Sequence, residues 1–273
     1  MSHNMQETPG DAAPAPGAPH CGGDAQNCSI CGNGLRNELD FSFAYQPIVD
    51  LPAGRIFAHE ALVRGPDGQS AASVLDRIGE ATRYSFDQAC RVKAIDLACD
   101  YGLLERGGEK LSINFLPHAV YRPEVCIQTT LQAARKRGME VSSIVFEVTE
   151  GERIEDGPWF AEILREYRRQ GFLTAIDDFG AGYAGLRLLA DFQPDLIKLD
   201  MDLVRDVDKQ PARQAIARSV IRLAQELGIA LVVEGVETPG ERDFFLHEGV
   251  ALFQGYLFSR PAFQGLARVA DWG

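Results

Sequence analysis

Short apolar runs alternate with longer stretches of helical spacing from Phe41 to the C-terminus. The runs are rich in Val, Ile and Leu, and residues 229–233 are apolar on both faces, as strands covered by helices are. One longer stretch places Ile216, Val220, Leu223 and Leu227 at helical intervals between Pro211 and Gly228, and another does the same from Phe86 to Ala98. Eight runs predict strands: 44–51, 57–63, 111–116, 144–148, 173–176, 196–199, 229–233 and 252–258.

Eight strands with helices between them predict an α/β fold, a TIM-like (β/α)8 barrel. Five residues, 52–56, separate the first two runs. That connection is too short for a crossover helix, so one strand near the start should pair antiparallel with its neighbour. Residues 40–273 form the predicted folded domain, and residues 1–39 read as a flexible leader because they lack bulky apolar side chains.

Composition narrows the functional classes. The 273 residues are 45% apolar and 24% charged, which is typical of a globular protein. A net charge of −12 argues against long nucleic acid as a partner. No run approaches the ~18 apolar residues of a membrane span. We therefore expect a cytoplasmic protein with no membrane partner, whose six cysteines are mostly reduced.

Polar side chains fall where the predicted strands end. The carboxyl ends of barrel strands converge on one mouth, where active sites are built. Several buried acids there are costly unless metals or hydrogen bonds compensate them, although each alone could be a rim or turn residue. The residues are Glu60, Asn114, Glu147, Glu150, Asp177, Asp178, Lys198, Asp200, Glu234, Glu237 and Gln254.

The donor types indicate the metal. Carboxylates with one amide and no Cys or His are hard oxygen ligands that favour Mg²⁺ or Mn²⁺ over zinc or copper. Their number exceeds the need of one ion and fits two ions that share an aspartate, an arrangement typical of phosphodiester hydrolysis. Enolase-type or glycosidase chemistry is the alternative, but a glycosidase needs only two carboxylates.

Five motifs follow one another along the chain: residues 45–49, Glu60-Ala61-Leu62 with Arg64, and residues 177–183, 234–238 and 254–258. In this order they resemble the motifs of the EAL family of cyclic di-GMP phosphodiesterases, with Glu60-Ala61-Leu62 similar to the family signature. The resemblance covers Phe41 to the C-terminus. It implies hydrolysis of cyclic di-GMP to linear pGpG with two Mg²⁺ or Mn²⁺ ions, and a homodimer.

The resemblance also implies a role for each matching residue. Glu60, Asn114, Glu147 and Asp177 match ligands of the first metal, and Asp178 matches a ligand of the second, with Asp177 bridging. Lys198 and Glu234 match the residues that orient or deprotonate water. Gln46, Arg64 and Gln254 match substrate or water contacts, and Glu150 matches the acid that holds the loop carrying Asp178.

One departure concerns that loop. Ala184-Gly185 stand where the family usually has two serines. The loop loses two hydroxyl groups and gains a flexible glycine, which lowers the expected order of the loop but removes no ligand. A receptor that binds cyclic di-GMP without cleaving it, or a protein-interaction module, is the alternative function; an active enzyme is favoured because the family's acids are all present.

The leader contains Cys21, Cys28 and Cys31 next to His20. Such residues could form a small zinc or redox site, but no second C-x-x-C pair follows, so we expect reduced and unligated cysteines. We expect Cys90, Cys99 and Cys126 to pack in the domain. His59 should point away from Glu60, since neighbouring strand residues face opposite sides, while His118 and His247 should lie at the surface.

Overall fold

The computed structural model of the protein describes residues 39–149, 157–182, 185–269 and 272. The strands are β1 (Ser42–Asp50), β2 (Arg55–Arg64), β3 (Lys110–Asn114), β4 (Ile144–Thr149), β5 (Leu173–Phe179), β6 (Leu196–Leu199), β7 (Ala230–Val233), β8 (Leu252–Phe253) and β9 (Ala262–Phe263). The α-helices in this part of the chain are α1 (Ala71–Leu75), α2 (Glu80–Asp100), α3 (Pro123–Cys126), α4 (Gln128–Arg137), α5 (Gly157–Arg169), α6 (Gly185–Asp191), α7 (Met201–Val204), α8 (Pro211–Leu227) and α9 (Pro239–His247).

The strands close into an eight-stranded barrel. Strands β2 to β8 pair in chain order, each parallel to the next. Strand β1 lies between β8 and β2 and is antiparallel to both, and β9 adds a short pairing on β1. The register runs from Ser42 opposite Arg64 to Asp50 opposite Arg55, as the short connection requires. The TIM-like barrel with an antiparallel strand near the start is therefore confirmed.

A small apolar cluster fills the barrel interior and explains where the polar residues lie. It is made of Ile48, Ala58, Val145, Ala175, Leu196, Val232 and Leu252. Residues two apart on a strand share a face. On β2 and on β4 to β8, the residue two positions after the cluster residue points to the same side of the sheet. Its side chain therefore lies in the next layer towards the mouth. On the antiparallel β1 the order reverses, so that Gln46 stands in that layer above Ile48.

The larger core lies between the barrel and its helices. Helix α2 buries Phe86, Cys90, Ala94 and Ala98, which confirms the predicted stripe on that segment. Helix α8 has the predicted bounds, but its packed face differs from the expected one. Ala217, Ile221 and Ala224 are buried, whereas 47% of Ile216 is exposed. Small alanines let this helix approach the barrel closely, so the larger apolar side chains lie beside the contact.

Two strands, β3 and β8, end at least two residues earlier than predicted. Strand β8 ends at Phe253, because the next backbone groups bond to the chain after β7 in a turn: Gln254 O accepts from Val236 N at 3.1 Å. Strand β3 ends at Asn114, although Phe115 N still donates to Glu147 O at 3.0 Å. The apolar sequence continues past both ends because Phe115 and Phe258 remain buried beyond the strands.

Helix α8 ends at a left-handed residue, which gives the first testable prediction. Gly228 has φ +68°, and a Cβ added there would meet no atom within 4 Å. Backbone strain alone should make Gly228→Ala lower the free energy of unfolding by about 1–2 kcal/mol. Urea unfolding checks this. Gly265→Ala is the matched control, since that site is equally open and lacks positive φ; an equal loss in both variants would contradict the strain argument.

The remaining side-chain expectations are also confirmed. His59 is buried on the face opposite Glu60, and its Nε2 lies 2.7 Å from Glu109 Oε2. His118 and His247 are exposed. Cys90, Cys99 and Cys126 are free thiols, with Cys90 and Cys126 buried. Among the helices described, none combines the length and apolar character that crossing a membrane requires.

Candidate functional site

The predicted acids meet around one lysine at the carboxyl ends of the strands. Lys198 on β6 is 1% exposed. Its Nζ lies 2.8 Å from Glu234 Oε1, 2.9 Å from Glu147 Oε2, 3.0 Å from Asp177 Oδ1 and 3.3 Å from Glu60 Oε2. One ammonium thus contacts carboxylates from four other strands or strand ends. We call Lys198 and these four acids the acid ring.

Burial controls protonation in the acid ring. Burial raises the pKa of Glu147 to about 8, against the opposing effect of the Lys198 charge. Burial also raises the pKa of Glu234 well above its usual range. Burial alone would lower the pKa of Lys198, but Asp177 and the other acids raise it well above its usual value. The lysine therefore stays charged, whereas Glu147 and Glu234 hold their protons more tightly than free carboxyl groups do.

Two amides bracket Glu60 on the acid ring. Asn114 Nδ2 donates to Glu60 Oε1 at 3.1 Å, and Gln254 Nε2 donates to Oε2 at 2.7 Å. Gln254 is 4% exposed, and its Oε1 is buried with no hydrogen-bond partner in the described part of the chain. An unsatisfied buried acceptor at such a site is suited to a water or a ligand donor.

The carboxylates form two groups that could each hold a cation. Oxygens of Glu60, Glu147 and Asp177 lie within 4.8 Å of one another, as do those of Asp177, Asp178 and Glu234. Asp177 belongs to both groups. Because all the donors are oxygens, the site fits a hard divalent ion. The raised pKa values of Glu147 and Glu234 also favour a cation site, since a bound cation would supply the positive charge that the acid ring lacks.

Asp178 occupies an unusual backbone position. It has φ +54°, a left-handed conformation that costs a non-glycine residue about 1 kcal/mol or more. Its backbone N–H donates to Asp177 Oδ1 at 3.0 Å. Burial, followed by the charge of Asp177, raises the pKa of Asp178 to about 6. Strain and charge crowding at one residue are typical of functional sites.

A cavity of about 210 Å³ opens beside the acid ring. Gln46 and Gln254 lie in its wall, and Gln46 Nε2 donates to Ser259 O at 3.3 Å. Arg64 is placed elsewhere: it lines a separate, mainly apolar cavity of about 330 Å³, and its Nη1 donates to Val63 O at 2.7 Å. Asn114 also lines this second cavity and bonds to Glu60, so it lies between the two spaces.

Two residues of this region were missed by the sequence reasoning. Ser112 donates a short hydrogen bond from its hydroxyl to Glu147. Its position two residues before Asn114 on β3, and therefore on the same face, was a usable signal. Asp87 on α2 accepts from Leu116 N at 2.9 Å and so anchors the chain after β3. No local pattern indicates that contact, because it joins residues 29 positions apart.

Some predicted residues lie outside the described part of the chain. They are Glu150, Ala184 and the leader cysteines Cys21, Cys28 and Cys31. Gly185, which follows Ala184, is the first residue of α6. The predicted division into residues 1–39 and 40–273 likewise stays a prediction.

Fold and site together define an α/β barrel protein whose mouth is suited to hard divalent cations. The family model for the EAL domain matches residues 33–261. The chain therefore belongs to the EAL family, as its motifs predicted.

Three relatives illustrate the similarity. The antirepressor BluF of Escherichia coli is 34% identical over 86% of this chain and 58% of its own length, so the chain spans little more than half of that protein. A standalone EAL protein from Vibrio cholerae with bound c-di-GMP is 48% identical, with a TM-score of 0.81, covering 85% of this chain and 96% of that one. Klebsiella pneumoniae BlrP1 with manganese and cyclic di-GMP is 39% identical, with a TM-score of 0.79 over 85% of this chain and 59% of that one. Other curated relatives are named cyclic di-GMP phosphodiesterases.

Proposed function

We propose that this chain hydrolyses cyclic di-GMP to linear pGpG with the help of two divalent cations, Mg²⁺ or Mn²⁺. The observation that carries the proposal is the convergence of Glu60, Glu147, Asp177 and Glu234 within 3.3 Å of Lys198 Nζ. The solved relatives that hold cyclic di-GMP, one of them with manganese, support the choice of substrate and metal.

The residues would divide between two ions. Glu60, Asn114, Glu147 and Asp177 would hold the first, and Asp178 would hold the second with Asp177 shared. Such ions lower the pKa of bound water and stabilise charge on a phosphodiester. The buried Gln254 Oε1 is an acceptor for a proton of a water at this site.

Lys198 and Glu234 would handle charge and protons. Because burial raises the pKa of Glu234, its carboxylate, once ionised, is a stronger acceptor for a proton of the attacking water. The ammonium of Lys198, 2.8 Å from that carboxylate, fixes its orientation and stays protonated, so it can offset negative charge on the phosphate. Addition of one water opens one phosphodiester bond of the ring and gives pGpG.

The neighbouring side chains would bind the nucleotide. Gln46 and Gln254 line the cavity beside the acid ring, and Arg64 is proposed to contact phosphate. The guanidinium of Arg64 bonds to the carbonyl of its neighbour Val63. Reaching a phosphate would require Arg64 to exchange that bond for a charge-assisted one, which is stronger.

A non-catalytic receptor or protein-interaction module is the alternative function. The observation that favours it is the similarity to BluF, which is named an antirepressor. Burying a charged lysine among four acids is costly, and a module that only binds has no need for this arrangement. The intact acid ring therefore supports catalysis.

Product analysis tests the proposal. Purified protein is incubated with cyclic di-GMP and Mg²⁺ or Mn²⁺, and the nucleotides are separated by chromatography. We expect pGpG from the wild type, none with excess chelator and none from Glu60→Ala. If cyclic di-GMP binds but no product forms in any metal condition, the proposed hydrolysis is wrong and the protein is a receptor.

Metal affinity should rise with pH. Below the raised pKa values of Glu147 and Asp178, about 8 and about 6, a cation must displace protons. The apparent Mn²⁺ affinity should thus increase about tenfold per pH unit for each displaced proton, a gain that ends above the pKa concerned. Calorimetric titration between about pH 6 and 8 measures this slope, corrected for buffer ionisation. A flat profile would contradict the carboxylate assignment.

Three further expectations stay predictions. The chain is expected to form a homodimer and to be cytoplasmic. Its leader cysteines are expected to bind no zinc.

A further inference from the structure

A buried carboxylate outside the acid ring joins two segments of the barrel mouth. Glu241, in the first turn of α9, is 1% exposed. Its Oε1 accepts from Asp206 N at 3.0 Å, while its Oε2 accepts from Glu237 N at 2.9 Å and from Thr238 N at 3.1 Å. We call these three hydrogen bonds the Glu241 bridge.

The two joined segments follow strands β6 and β7. Lys198 lies on β6, and its partner Glu234 directly follows β7. Asp206 lies in the segment after α7, which follows Lys198 and the end of β6. Glu237 lies three residues after Glu234, which directly follows β7. The bridge therefore ties together the two chain segments whose side chains meet at 2.8 Å between Lys198 Nζ and Glu234 Oε1.

Both segments contain a residue in the left-handed backbone conformation. Asp206 is a non-glycine residue at φ +53°. Gly235, directly after Glu234, has φ +63°, and a Cβ there would lie 2.4 Å from Met201 Cβ. Gly235 adopts this conformation without strain, whereas the strained position of Asp206 persists only where the surrounding contacts over-determine it.

Charge reinforces the bridge. Burial alone would raise the pKa of Glu241, but the backbone N–H groups of Glu237, Asp206 and Thr238, together with the charge of Arg205, lower it below its usual value. Arg205 adds a forked contact to the Glu237 carboxylate, at 2.8 and 2.9 Å. Charge-assisted bonds of this kind are about twice as strong as neutral ones.

We infer that Glu241 is a positioning residue, whose carboxylate fixes the Glu234 carboxylate against Lys198 by bridging the segments after β6 and β7. The inference rests on the proposed function. Glu241 contacts neither substrate nor metal in this account and acts only through the backbone that carries Glu234.

The variant Glu241→Gln changes the hydrogen bonds of this side chain without changing its size. A carboxylate has two acceptor oxygens and the bridge uses both, whereas an amide has one acceptor and a donating NH₂ group. The variant must therefore lose either the bond from Asp206 or the bonds from Glu237 and Thr238. We expect kcat for cyclic di-GMP to fall about ten- to hundredfold, as small misplacements of reacting groups do. KM should stay within about twofold, because the nucleotide contacts are untouched.

Two control variants isolate the effect. Glu226→Gln makes the same change at an exposed position on α8 and should match the wild type. Phe245→Leu disturbs a fully buried side chain of α9 without touching the bridge and supplies a comparable loss of stability. All assays are run well below the unfolding transition, so that each variant is folded.

The outcomes decide between positioning and mere stability. A kcat loss in Glu241→Gln that Phe245→Leu does not share supports the inference. Wild-type kcat in Glu241→Gln, or equal kcat losses in both variants, overturns it. Hydrogen exchange at the amides of Asp206, Glu237 and Thr238 is measured in parallel and should accelerate in Glu241→Gln alone. If the wild type gives no pGpG, the proposed function fails, and the exchange rates still decide whether the carboxylate fixes these segments.

Discussion

Replacing Asp177 with asparagine is expected to abolish turnover of cyclic di-GMP. Asp177 belongs to both groups of metal-competent carboxylates, so the change weakens both proposed ions at once. Two-metal stabilisation contributes several kcal/mol to such reactions, which corresponds to at least about a thousandfold in kcat. Steady-state rates of pGpG formation measure the loss.

The same variant should remain folded. Asparagine is nearly the same shape, and removing one charge relieves repulsion among the buried acids. We therefore expect the metal-free variant to be at least as resistant to heat as the wild type, while the stabilisation by added Mn²⁺ disappears. Asp191→Asn, at an exposed aspartate of α6, serves as the control and should keep both activity and the response to Mn²⁺. Turnover by Asp177→Asn at the wild-type rate would remove the shared-carboxylate mechanism.

Replacing Lys198 with methionine should produce the largest loss of stability. Its ammonium contacts four acids and is 1% exposed. Breaking a buried ion pair by removing one partner costs about 3–5 kcal/mol, because the remaining charge has lost its compensation. We expect urea unfolding of the metal-free variant at a correspondingly lower midpoint, together with loss of pGpG formation.

Added Mn²⁺ tests whether uncompensated carboxylate charge causes the loss of stability in Lys198→Met. Mn²⁺ bound among the same carboxylates would restore part of the stability, although not the activity. Lys136→Met, at an exposed lysine in the last turn of α4, should change the free energy of unfolding by no more than about 0.5 kcal/mol. If metal-free Lys198→Met unfolds at the wild-type midpoint, the acids do not depend on the lysine for compensation.

Much of this architecture could be predicted because the barrel repeats one rule. On β2 and on β4 to β8, the residue two positions after the apolar interior layer is polar, and its side chain lies towards the mouth. Ala175 and Asp177 on β5 illustrate the rule, as do Leu196 and Lys198 on β6. The five-residue connection before β2 likewise predicted the antiparallel pairing.

Other features depend on contacts that no local pattern encodes. The packed face of α8 is decided by how closely Ala217 and Ala224 let the helix approach the barrel, whereas periodicity favoured the larger Ile216. Asp87 anchors the chain after β3 through a backbone N–H that the sequence does not reveal. The placement of Arg64 in a second cavity similarly follows from side-chain packing around β2.

The location of bound cations tests the central claim most directly, namely that the acid ring is a two-metal site. Anomalous scattering from crystals of the protein soaked in Mn²⁺ would locate the ions. We predict two peaks on the order of 4 Å apart, both next to Asp177. One should lie about 2–2.5 Å from oxygens of Glu60 and Glu147, and the other at the same distance from Asp178. A single peak, or none within reach of Asp177, would contradict the account.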